Sequence, residues 1–93
     1  MTGETNMWLS LLQRWPKDFP QKGVVMTVLN ESIPFVGFVY DDTMAVFQRQ
    51  TPDALGARQA IVPFTAISYV KITAIVVPKA FTDMGFQGTL PKV

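Results

Sequence analysis

The sequence contains no cysteine and no histidine. The first absence rules out disulfides and thiolate zinc sites as sources of stability. The second removes the commonest general base and the commonest metal ligand. Ser10, Ser32 and Ser68 therefore have no imidazole to activate them, and no glycine-rich phosphate cradle is present. The expectation is a protein that is not an enzyme and carries no cofactor. Charge is also scarce, at 16% of residues against about 25% in ordinary soluble domains. Long apolar runs are missing too. The longest uncharged stretch, residues 59–70, is interrupted by Pro63, whereas a spanning helix needs about 20 apolar residues. The N-terminus shows no basic segment leading into an apolar run. These absences make a cytoplasmic location without membrane contact the expectation.

What is present is apolar. Hydrophobic residues make up 48% of only 93, enough chain for one domain with a modest core. A small chain with more apolar residues than one core can hide buries the rest against a partner, so self-association is expected. The net charge of +1 does not advertise a polyanion binder. Its distribution is uneven: residues 58–93 hold Arg58, Lys71, Lys79 and Lys92 against Asp83 alone.

Trp8, Leu11, Leu12 and Trp15 recur every three to four residues and predict a short amphipathic helix, with Thr5 as N-cap and Pro16 as its stop. From Gly23 onward the pattern is β. Strands are predicted over 23–30 (GVVMTVLN), 34–40 (PFVGFVY), 43–50 (TMAVFQRQ), 58–64 and 68–77 (SYVKITAIVV). The turns fall at 30–32 and at Asp41-Asp42, with a loop over 51–57. Gly37 marks a sharp bend within the second strand. In the first strand Val24, Met26 and Val28 alternate with Val25 and Leu29, so both faces are apolar and need cover. Residues 78–93, with two Gly and two Pro, read as a tail with a short turn near 80–84.

A short helix followed by five strands, the second bent, is the element order of the Sm/LSm proteins. Gly37, then Asp41-x-x-Met44, then apolar Val46 and Phe47 resemble the first Sm signature; Ala66-Ile67-Ser68 before an apolar strand resembles bacterial Hfq. Over residues 7–77 the chain is similar to this family, and to the Sm-related proteins known from marine metagenomic sequence attributed to phage. The resemblance implies a mainly β fold: a small, strongly bent five-stranded Sm-like (SH3-like) barrel with a short N-terminal helix, over residues 1–77, and a C-terminal tail over 78–93. It also implies a homo-oligomeric ring, closed by pairing residues 58–64 of one subunit with 68–77 of the next, that binds single-stranded RNA or DNA. Three departures point to an alternative, a structural or protein-interaction ring that has lost the RNA site. Ala45 stands where Sm proteins have a base-contacting Asn, Thr43 stands at the stacking position, and Phe64-Thr65 replaces the Arg-Gly or Lys-His pair.

Two candidate nucleic-acid sites follow. Tyr40, Asp41, Asp42, Thr43 and Met44 would line a ring opening, with Tyr40 able to stack on a base; the competing reading gives the aspartates to the turn alone. Thr65 and Ser68 offer hydrogen bonds and Lys71 a phosphate contact, against a reading as strand ends and a solvated strand residue. Arg49 and Arg58 flank the 51–57 loop as a further phosphate contact or as an ordinary loop base. Asp41-Asp42 lacks the oxygen-ligand spacing of a cation site.

Overall fold

The computed structural model describes residues 3–91, with side chains from Met7 onward; Lys92 falls outside this range. Helix α1 spans Gly3–Gln13. Thr5 is therefore inside the first turn and not at the N-cap, and its side chain lies outside the described residues. The helix is held by its apolar stripe: Leu12 is buried, with Trp8, Leu9 and Trp15 packed against the same core. Trp15 follows the last helical turn. Its ring sits 5.0 Å from Phe19 and edge-on to Phe38 at 5.1 Å, and its indole Nε1 donates to the Phe19 carbonyl.

Six strands follow: β1 (Gly23–Thr27), β2 (Ser32–Phe35), β3 (Gly37–Tyr40), β4 (Met44–Gln48), β5 (Gln59–Pro63) and β6 (Ile67–Ile72). The expected count of five is corrected because the second predicted strand is two. The chain breaks at Val36, whose N–H donates to the Gln48 carbonyl at 2.8 Å. β2 pairs with β1, while β3 pairs with β4. The bend expected at Gly37 thus carries the chain from one antiparallel sheet to another. The orders are β2-β1-β6 and β3-β4-β5, so the ladders form two three-stranded sheets and not one closed five-stranded barrel. A 3-10 turn, Phe64–Ala66, joins β5 to β6. It is tied to both sheets, since the Phe64 N–H donates to the Thr43 carbonyl and the Val28 N–H to the Ala66 carbonyl, each at 2.9 Å.

The first strand stops earlier than its β-branched composition predicts. Thr27 Oγ1 accepts the Leu29 and Glu31 N–H groups, and the Thr27 carbonyl accepts from Asn30, which adopts φ 66°. A side chain that satisfies two backbone donors outcompetes the ladder. Val28 and Leu29 turn outward, Leu29 being 86% exposed, so among the described residues the apolar cover expected over them is absent. β6 likewise ends at Ile72, because its partner there, Gly23, is the first residue of β1. Residues 73–77 (TAIVV) run on without a strand partner, leaving Ile75 and Val77 exposed. Glycine is required at position 23, since a Cβ there would run into the Lys71 carbonyl and the Phe35 ring.

Both sheets and α1 contribute to a single core. Phe35 and Phe47 lie 4.9 Å apart at its centre, flanked by Phe38, Val25, Phe64 and Ala45. After β6, helix α2 (Lys79–Asp83) forms where a short turn is expected. Phe81 meets Phe19 edge-on at 5.5 Å and Met84 is buried. Arg14 Nη1 donates to the Met84 carbonyl at 2.7 Å and its guanidinium lies over the Phe86 ring. Residues 78–86 are thereby fastened to the end of α1.

Candidate nucleic-acid interface

The turn from β3 to β4 is built by one carboxylate. Asp41 Oδ1 accepts the Thr43 N–H at 2.9 Å, the Met44 N–H at 3.0 Å and the Thr43 hydroxyl at 3.3 Å. The Asp41 N–H closes the hairpin onto the Met44 carbonyl. The Thr43 N–H, then the Met44 N–H, hold the Asp41 carboxyl below its ordinary value, because donors aimed at a carboxylate favour its charged form. Asp41 therefore serves the turn and stays anionic. Asp42, Thr43 and Met44 are exposed around it. Tyr40 presents a 40% exposed side chain, its ring 6.4 Å from Phe38, and can offer a face to a base.

The hydrogen bond from Phe64 to Thr43 brings this turn against the 3-10 turn. Exposed Thr65 thus shares one end of the molecule with residues 40–44. Ser68 follows close by, left out of register at the bulge where Met26 pairs with Tyr69 but Thr27 with Ile67. The turn after β1 belongs to the same end through the bond from Val28 to Ala66. Its exposed Val28, Leu29 and Asn30 were not legible as site residues, since the sequence places the first two inside a strand.

Lys71 does not join this group. It lies four residues beyond Ile67, about 13 Å along an extended strand, where it pairs with Val24, which in turn pairs with Pro34. Val24 and Pro34 line a cleft of about 200 Å³ together with Lys22, Arg49, Thr51 and Thr73. Arg49 is fixed there by donation from its Nε to the Thr51 carbonyl. Arg58 is exposed at the far side of the loop, its carbonyl accepting from the Arg49 N–H. Within the loop Asp53 repeats the device of Asp41. Its Oδ1 accepts the Ala57 and Leu55 N–H groups at 2.9 Å, which lower its pKa, with a smaller contribution from Arg49.

A larger apolar groove of about 650 Å³ is lined by Trp8 and Trp15, by Tyr69 and Ile72 of β6, and by Phe81 and Phe86. Among the described residues, no group of three or more acidic, His or Cys side chains is arranged to hold a metal, and no helix is long and apolar enough to cross a membrane. The arrangement offers stacking and neutral hydrogen bonds at one end and cationic contacts at the other. No protein-family model, no curated protein and no solved structure matches this chain.

Proposed function

We propose that the chain assembles into a homo-oligomeric ring of the Sm/LSm type and binds single-stranded nucleic acid, RNA in particular. The observation that carries this reading is the juxtaposition of the 40–44 turn and Thr65 through the bond from Phe64 to Thr43. It assembles an aromatic face and hydroxyl donors on one exposed rim. Several features support the ring. The bent passage at Val36 and Gly37 and the 3-10 turn between the last two strands fit a bent small barrel. β5 and β6 each have one neighbour within their sheets and so leave one edge unpaired. Both edges carry exposed apolar side chains, Ile61 at 68% and Tyr69 at 48%. Pairing β5 of one copy with β6 of the next would satisfy both edges, and edges left open invite uncontrolled association. A cytoplasmic location accords with this role.

One observation favours a second reading, a structural ring without nucleic acid. The Asp41 carboxylate is kept charged by its own turn, and together with Asp42 it places negative charge where phosphates would approach. Fluorescence anisotropy with labelled oligo-U and oligo-A over a salt series separates the two. Affinity that falls as salt rises supports the nucleic-acid reading; no binding at low salt overturns it. Light scattering tests assembly, and a stable monomer at micromolar concentration would remove the ring.

A further inference from the structure

If nucleic acid binds, the turn at Asp41 and Asp42 is a poor place for its backbone. The phosphates need cations, and the fold gathers them elsewhere. Lys22 precedes β1, Arg49 leaves the end of β4, and Lys71 lies on β6 across from Val24. Two ladder features bring them together. The Val36 N–H bound to the Gln48 carbonyl draws the end of β4 against β2. The register Pro34–Val24–Lys71 sets the Lys71 side chain on the sheet face formed by Val24 and Pro34, two residues of the cleft lining.

We propose that this cleft is the phosphate-holding site of the protein and takes the sugar-phosphate backbone of a single strand, without regard to its bases. Lys22 and Arg49 line it directly and Lys71 flanks it. Gln50, Thr51 and Thr73 add neutral hydrogen-bonding groups. No carboxylate is among the lining residues. The Leu55 and Ala57 N–H groups keep Asp53 anionic, and its charge acts on Arg49 from the loop beyond the cleft lining. Among the described residues the ion pair found is between Lys79 and Asp83, so none of Lys22, Arg49 and Lys71 is held in a salt bridge. The cleft thus divides the work with the rim at Tyr40: phosphates at one end, base faces at the other.

This inference rests on the nucleic-acid reading, and one experiment tells their failures apart. Anisotropy titrations with the same oligonucleotides are run over a salt series on the wild type, Lys22→Gln, Lys71→Gln, Arg49→Gln and the Lys22→Gln/Arg49→Gln double variant, with Lys79→Gln as control. Thermal melts confirm folding. Should Arg49→Gln unfold through loss of its bond to the Thr51 carbonyl, the two exposed lysine variants carry the test. Each lost phosphate contact is expected to reduce the slope of log affinity against log salt by about 0.7, equally for oligo-U and oligo-A, while Lys79→Gln keeps the wild-type slope. Wild-type binding with unchanged affinity and slope in the double variant overturns the cleft alone. No binding by the wild type overturns the nucleic-acid reading and the cleft with it.

Discussion

The two ends of the β3–β4 hairpin solve opposite electrostatic problems. At the turn, a carboxylate spends its hydrogen-bonding capacity on the backbone of its own loop, and Tyr40 and Thr65 stand exposed beside fixed negative charge. About 17 Å away along β4, Lys22, Arg49 and Lys71 stand around a small cleft, outside any salt bridge among the described residues. A surface with a net charge of only +1 can still present a local cationic site. The ladder register decides where the charges collect.

The largest effect should come from removing the register at the cationic end. Gly23→Ala places a methyl against the Lys71 carbonyl and the Phe35 ring. It should cost about 3 kcal/mol, read by urea denaturation, and an unchanged midpoint would mean that β1 and β6 do not meet as described. Next is Tyr40→Ala. On the proposed nucleic-acid reading it should weaken oligonucleotide binding by about 1–3 kcal/mol, the range for losing one stacked base, with no change in salt slope. A changed slope would blur the division between the two ends. Thr27→Val tests the turn after β1, at the same end of the molecule. It leaves the Leu29 and Glu31 N–H groups without their acceptor, for a loss of about 1–2 kcal/mol in the same denaturation assay.

The smallest effect is the acid dependence of the Asp41 turn. The folded-state pKa of Asp41 is depressed, so its stabilisation is present above the unfolded value. That stabilisation is lost as pH falls through the folded one. Asp41→Asn, which keeps a carbonyl acceptor, should flatten the decline in melting temperature between about pH 5 and pH 2 relative to wild type. An identical decline in both proteins would show that the charge of Asp41 contributes nothing to the turn.

Local chemistry was legible in the sequence. The stripe of Trp8, Leu12 and Trp15, the turn at Asp41 and the bend at Gly37 all stand where nearest neighbours in the chain predict them. Features set by distant partners, or by a local side chain that overrides strand propensity, were not legible. Val28 and Leu29 have strong strand propensity, yet Thr27 Oγ1 ends the strand before them. Residues 73–77 read as strand, but a strand continues only as far as its neighbour does, and β1 begins at Gly23. Lys71 groups with Thr65 and Ser68 by sequence distance, whereas pairing with Val24 commits it to the opposite end. The docking of residues 78–86 depends on Arg14, 70 residues away from its acceptor at Met84, and no local pattern announces that bond.

The unpartnered TAIVV segment has a consequence for handling the protein. Five uncharged residues rich in β-branched side chains, with Ile75 fully exposed, form the kind of sequence that seeds cross-β stacking. They are bracketed by Lys71 on one side and Pro78-Lys79 on the other. A like charge at each end and a residue that cannot donate to a ladder act as gatekeepers against fibre growth. Neutralising either lysine in a variant therefore trades colloidal safety for whatever else it tests, and such proteins should be kept dilute and cold during purification.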